Sequence, residues 1–350
     1  CSLPDDDWFY LQNDLRSLET TARLVNVRAA EHWRQFVAID DEGGFTRNQQ
    51  LQLHFLERAC EILAKRGIRP ACWEDCLLFK NANGRIAADS PRARKLRPIV
   101  YVWNNVWGWG NEDAAYRLAN AGYDVVLCNA THLYLDLACG KDPEEIGYYW
   151  AGFVGDRQPF EFNPLDVFQN ATVDGMGRPL ADDQFAGSVR LTDDGRRHIL
   201  GIQGQLWGEN LRSAEQLEYM AFPRVIAVAE RAWAQEPAWV RSSDREIRAE
   251  QIQSAWNHFA NCLGQRDLPR LDYLGGGVEY RLPPPGATVR DGKVFANSAF
   301  PGLTIHCTTD GREPTAASPI LAGELPLDSP IQLRVFDTRG RGSRATIIAP

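Results

Sequence analysis

Short apolar runs alternating with helical sequence constrain this 350-residue chain more than any other feature. Residues 98–103 read Pro-Ile-Val-Tyr-Val-Trp, residues 124–129 read Asp-Val-Val-Leu-Cys-Asn, and residues 68–73 and 200–206 are two further runs. Strands that are apolar almost throughout belong to a parallel sheet covered on both faces, and parallel neighbours need crossover helices between them. Helical sequence lies where that demands it. Residues 46–66 carry Phe55, Leu56, Ala59, Ile62 and Leu63 on one face, with Thr46 and Gln49 as a capping box and Gly67 as a stop. A second helix is predicted from about Asn111 to Ala121, ended by Gly122. Ser213 and Gln216 cap a third, and Pro223 opens a fourth. Four such units suit half of an eight-stranded barrel, or most of an open doubly wound sheet. No Gly-rich phosphate loop follows any of the strands, which counts against a nucleotide-binding sheet.

The pattern changes near residue 265. Residues 282–286, Leu-Pro-Pro-Pro-Gly, read as a linker, and short alternating strands follow at 303–308 and 331–336 around an Asp310-Gly311 turn. The expected fold class is therefore α/β: the C-terminal half of a (β/α)8 barrel over residues 1–275, then a small antiparallel β-sandwich-like module over 280–350.

A net charge of -8 argues against nucleic acid or an anionic membrane as partner, since both are drawn to basic surfaces. No apolar run approaches the ~20 residues that span a bilayer. Of eight cysteines only Cys72 and Cys76 lie close in sequence; they lack the spacing and His partners of a zinc site, and no His stands at metal spacing. No metal site is expected from these residues. Because the chain opens on Cys1, a truncated start is expected rather than the mature end of a lipoprotein.

Eleven tryptophans are many for this length, and their positions matter more than their number. In a (β/α) barrel, functional residues stand at the C-terminal ends of the strands. The first strand ends at Trp73 with Glu74 and Asp75, and the second at Trp103. The third leads through Asn129 to Tyr134-Leu135-Asp136, and the fourth to Trp207 and Glu209. Packing gives no reason to place an indole at the strand end each time. Aromatic faces beside carboxylates suit sugars, whose C–H face stacks on an indole and whose hydroxyls donate to a carboxylate.

In order along the chain, Ala71-Cys72-Trp73-Glu74-Asp75, Val102-Trp103, Tyr134-Leu135-Asp136, Gly147-Tyr148-Tyr149-Trp150, Gln205-Leu206-Trp207-Gly208-Glu209 and Glu218 through Trp233 resemble the family 20 glycoside hydrolases. These are the β-N-acetylhexosaminidases, with the bacterial chitobiases most similar among them. Leu263-Gly264-Gln265-Arg266 and Tyr280-Arg281-Leu282-Pro283 extend the resemblance into the final module. It implies a subsite for one terminal N-acetylhexosamine of an oligosaccharide. Trp73, Trp103 and Trp207 wall the acetamido pocket and sugar face, and Tyr134 donates to the acetamido oxygen. Asp136 and Glu209 bind the O4 and O6 hydroxyls, and Trp150 stacks on the next sugar out. The implied chemistry is retaining and substrate-assisted, outside the usual two-carboxylate scheme, and needs no metal or cofactor. The acetamido carbonyl attacks the anomeric carbon, an Asp orients it, and a neighbouring Glu protonates the leaving oxygen. Such enzymes are usually exported, so the periplasm or cell surface is the implied location.

One departure from the pattern is large. The His-x-Gly-Gly-Asp-Glu motif that supplies this Asp-Glu pair does not occur in the chain, and neither does the first-strand Arg that binds sugar hydroxyls. Asp40-Asp41-Glu42-Gly43-Gly44 carries its glycines after the acids and reads as a polar loop. The expectation is the C-terminal part of a longer hexosaminidase, beginning after the catalytic pair, needing the other half of the barrel and inactive alone. Two alternatives stay open: a non-catalytic sugar-binding protein on a decayed barrel, and a barrel glycosidase with Glu209 as its acid. Glu230 and Arg224 read as an ion pair or a solvated face. Asn129-Ala-Thr131 and Asn170-Ala-Thr172 spell glycosylation sequons, the first at a strand end.

Overall fold

The computed structural model describes residues 44–350 apart from 81–85, 89–90 and 182. The Asp40–Glu42 acids and Cys1 lie outside the described residues. Two compact units divide the chain. The first takes Cys1–Asn129, Pro164–Asp166 and Ala181–Gly201; the second takes Ala130–Asn163, Val167–Leu180 and Ile202–Pro350.

The first unit is built on the predicted sheet. Strands β1 (Ala71–Trp73), β4 (Ile99–Val102), β5 (Asp124–Leu127) and β6 (Ile199–Ile202) lie in that order, with β2 (Leu78–Lys80) and β3 (Ile86–Ala88) forming a separate antiparallel pair. Trp73 is in register with Tyr101, and Val102 with Leu127, both in parallel pairs. Val100, Val102, Val125 and Leu127 are buried, as are Ala114, Ala115, Tyr116, Leu118 and Ala119 of the crossover helix Ala114–Asn120. That helix stops where Gly122 takes a φ of 88°, a left-handed conformation that favours glycine. At the opposite end of the sheet, Asp124 binds His198 Nδ1 at 2.7 Å and pairs with Arg69, tying β5 to the start of β6.

Three sequence expectations are corrected here. The helix predicted at 46–66 runs Gly44–Ala64, so Thr46 lies inside it rather than capping it. The strand predicted from Ile68 starts only at Ala71. The run at 200–206 is a strand only over Ile199–Ile202, and Leu200 is half exposed. Gly201 and Gly204 account for that early end, because glycine weakens a strand interior. Beyond it, Gln205 makes an isolated bridge to Tyr134, giving its N–H to Leu133 O and accepting Leu135 N–H.

In the second unit, Ser213 Oγ accepts Gln216 N–H at 3.2 Å at the start of helix Ala214–Ala221, and Pro223 precedes helix Arg224–Trp233. Asp244 caps the long helix Arg245–Cys262 by accepting the N–H groups of Glu246 and Ile247. Phe160, Trp239, Trp256, Phe259, Leu263 and Phe300 form one aromatic-rich core with these helices. Two antiparallel sheets follow. One orders β10 (Leu325–Pro326), β8 (Lys293–Asn297) and β7 (Gly286–Arg290); the other orders β12 (Thr346–Ile348), β11 (Ile331–Phe336) and β9 (Thr304–Thr308). Val294, Cys307, Ile331 and Leu333 fill the space within this module.

Candidate functional site

Asp136 is the centre of the arrangement in the second unit. The short helix Ala130–Leu133 follows β5, and the chain then runs through Tyr134, Leu135 and Asp136, all three buried. The Tyr134 ring meets Trp150 edge-on at 5.9 Å and Trp207 at 6.2 Å, while about two-fifths of each indole stays exposed. Aromatic edges thus fix two indoles whose remaining surface is open to a ligand. Asp136 accepts the backbone N–H of Trp207, but its Oδ1 is buried with no hydrogen-bond partner among the described residues. A buried acceptor left unmatched is costly unless something else supplies the donor. Burial, with the nearby charge of Glu209 adding to it, pushes the Asp136 carboxyl up to about 6. Glu209 itself is exposed. Five of the seven predicted residues, Tyr134, Asp136, Trp150, Trp207 and Glu209, are therefore placed by one unit.

The scaffold under Asp136 was not foreseen. Arg224, 1 % exposed, is neither an ion pair with Glu230 nor on a solvated face. Its guanidinium donates to Met220 O, Leu137 O at 2.8 Å, Val154 O at 2.7 Å and Leu135 O at 2.5 Å. It collects the carbonyls that would otherwise be orphaned where the chain bends around Asp136, and it needs no carboxylate to do so.

Trp73 and Trp103 belong to the first unit, where two acids hold Trp103. Trp73 packs edge-on against Tyr101 at 5.8 Å. Trp103 gives its indole N–H to Asp75 Oδ2 at 2.9 Å, and Glu74 Oε1 accepts Trp103 N–H at 3.1 Å and Asn104 N–H at 2.9 Å. The other Glu74 oxygen and Asn104 Oδ1 are buried without a partner among the described residues. Burial, reinforced by Asp75, pushes the Glu74 carboxyl up to about 8. The sequence marks Glu74 and Asp75 as acids beside Trp73, one of them a candidate to hydrogen-bond within the pocket; their part as the supports of Trp103 depends on the β1–β4 register. Asn129 and Thr131 of the first sequon are both buried, which closes that Asn to a glycan. Among the described residues no cluster of three metal-ligating side chains occurs, and no helix is long and apolar enough to cross a membrane.

Exposed indoles grouped around a buried carboxylate with an open acceptor suit a hydroxyl-rich ligand with an apolar face. Comparison with known proteins makes that specific. Residues 27–236 match the model of the glycosyl hydrolase family 20 catalytic domain, and residues 267–345 match that of the chitobiase/β-hexosaminidase C-terminal domain. The chain belongs to glycosyl hydrolase family 20. Its fold is the C-terminal half of a (β/α)8 barrel followed by a small antiparallel β module. It is 36% identical over 278 residues to an N,N'-diacetylchitobiase of Vibrio harveyi, which covers 75% of this chain and 29% of that protein. It is 32% identical over 298 residues to a β-hexosaminidase of Vibrio vulnificus, covering 80% of this chain and 33% of that protein. The chain thus spans about a third of the length of these curated relatives. A family 20 exo-β-N-acetylglucosaminidase from Vibrio harveyi, solved with N-acetylglucosamine, aligns with a TM-score of 0.44 at 27% identity over 73% of this chain and 30% of that one.

Proposed function

We propose that this chain carries the sugar-binding half of an exo-acting β-N-acetylhexosaminidase that releases terminal N-acetylglucosamine or N-acetylgalactosamine from chitobiose-like ends. The observation that carries this reading is the open, buried Oδ1 of Asp136 beneath the Tyr134–Trp150–Trp207 group. Asp136 and Glu209 accept hydrogen bonds from the O4 and O6 hydroxyls. Trp207 faces the sugar ring, Tyr134 donates its phenol O–H to the acetamido oxygen, and Trp150 stacks on the next sugar. Trp73 and Trp103 keep the aromatic-wall role that the family resemblance gives them. Orienting the acetamido carbonyl for attack on the anomeric carbon is Tyr134's share of a retaining, substrate-assisted reaction. The Asp-Glu pair that completes the reaction is assigned to sequence upstream of these residues. The same reading divides the protein into barrel sequence up to about residue 275 and a module over 280–350, and places it in the periplasm or at the cell surface.

The missing Gly-Gly-Asp-Glu motif equally favours a sugar-binding protein without catalysis. Two measurements separate the readings. A thio-linked, non-hydrolysable analogue of N,N'-diacetylchitobiose should quench tryptophan fluorescence saturably in the natural full-length protein and much less in its Asp136→Ala variant; absence of saturable binding removes both readings. Turnover of an aryl N-acetylglucosaminide by the natural full-length protein selects the enzyme, and binding without turnover selects the lectin-like alternative. Clear turnover by residues 1–350 alone would instead overturn the assignment of the acid to upstream sequence.

A further inference from the structure

Glu145 is a buried carboxylate with no part in the sugar chemistry above. It lies in the loop 139–156, between Asp136 and the helix Arg157–Glu161, and only 1% of its side chain is exposed. Its partners come from far along the chain. Arg281 donates to both of its oxygens at 2.9 Å, Arg344 donates to Oε2 at 2.5 Å, and Tyr219 O–H donates to Oε1 at 2.9 Å. Arg344 also pairs with Asp142 in the same loop. Burial alone would raise the Glu145 carboxyl, but hydrogen bonding and charge from Arg281, with help from Tyr219 and Arg344, hold it below its ordinary value.

From Glu145 the loop leads directly to the sugar residues. Two residues on, Gly147 has a φ of 127°, and a Cβ there would sit 2.7 Å from Asp136 O and 2.5 Å from Ala138 N. Only glycine permits that approach. Tyr148 then gives its N–H to Asp136 O at 3.1 Å and accepts Ala138 N–H at 2.8 Å, and Trp150 reaches the Tyr134 ring two residues later. Arg224 secures the two ends of the same loop through Leu137 O and Val154 O. Its middle is held by Arg281 and Arg344.

We propose that Arg281 and Arg344 of the C-terminal module are positioning residues for the sugar site: by clamping Glu145 they fix the loop that sets Trp150 against Tyr134 and closes on the backbone of Asp136. This gives the module a task in ligand binding although none of its side chains touches the sugar. The proposal rests on the reading of Asp136 and Trp150 as sugar contacts, and it deepens that reading by making affinity depend on residues outside the barrel sequence. Pairs that share one buried network are coupled by enough to change an equilibrium several-fold to a hundredfold.

The test compares the natural full-length protein with Arg344→Ala, Arg344→Lys and, as a milder disturbance of the same contact, Glu145→Gln. Hydrogen exchange and titration with a thio-linked, non-hydrolysable analogue of N,N'-diacetylchitobiose are both measured. Arg344→Ala should raise exchange selectively across residues 142–150 and weaken disaccharide binding by about tenfold. Arg344→Lys should recover most of both, and Glu145→Gln should shift both in the same direction as Arg344→Ala. Unchanged exchange in the loop, or a rise spread evenly over the whole chain, would overturn the clamp. So would loop opening with unaltered affinity. If the unmodified protein binds no disaccharide, the sugar-site reading itself fails, and that result is seen before any variant is made.

Discussion

Two buried carboxyls behave differently from ordinary acids, and pH separates their roles. Glu74 titrates near 4.5 when unfolded, whereas burial pushes it up to about 8 in the folded chain. Below the lower value both states are protonated and no difference arises. As pH rises from there towards 8, folding must either retain a proton or bury a charge, so the stability linked to Glu74 falls. Glu74→Gln keeps an acceptor for Trp103 and Asn104 and removes the charge. It should match the parent near pH 4.5 and exceed it at pH 8 by roughly 4 kcal/mol in urea unfolding. A parent whose stability is flat over that range would show that Glu74 is not buried as described. Asp136, pushed up to about 6, is the proposed sugar contact, and its ionised form is the better acceptor for hydroxyls. Disaccharide affinity should fall as pH drops below about 6, and Asp136→Asn should bind weakly at every pH.

At the scale of elements, local signals in the sequence were legible and distant ones were not. Ser213 caps its helix and Gly122 ends another because a cap is decided within a few residues. The length of β6 was overestimated because apolar character at Ile202 and Leu206 hid the effect of the glycines between and beside them. Strand-end indoles such as Trp73 at the end of β1 and Trp103 just after β4 were visible as a pattern in the sequence. Their supports were not. Arg224 answers carbonyls up to 89 positions away, and the Glu145 clamp joins residues 136 and 199 positions apart, distances at which one sequence carries no spacing rule. Arg224 shows what such supports are worth. Arg224→Met keeps an unbranched apolar stem but leaves the carbonyls of Leu135, Leu137 and Val154 buried and unpaired. It should cost on the order of 3 kcal/mol or more, measured as a lower urea midpoint. A loss under about 1 kcal/mol would mean that water reaches these groups.

For the molecule as a whole, the sheet order β1-β4-β5-β6 leaves β1 and β6 as edges among the described residues. Parallel strands seldom remain unpaired at an edge, and the exposed Leu200 adds apolar surface there. Residues 1–350, purified alone, should therefore associate as concentration rises, seen by sedimentation velocity. A single species at every concentration would mean that these edges are already satisfied. The net charge of -8 moderates but does not prevent such association, because screening at physiological salt confines it to about 8 Å.

Arg344 stands just before β12, the last strand of the chain. A proteolytic cut between β11 and Arg344 would detach one of the two arginines that clamp Glu145 and leave every residue proposed to contact sugar intact. A nicked preparation would keep those residues yet present as a weaker binder. The integrity of the segment around Arg344 would then belong among the variables of any binding measurement.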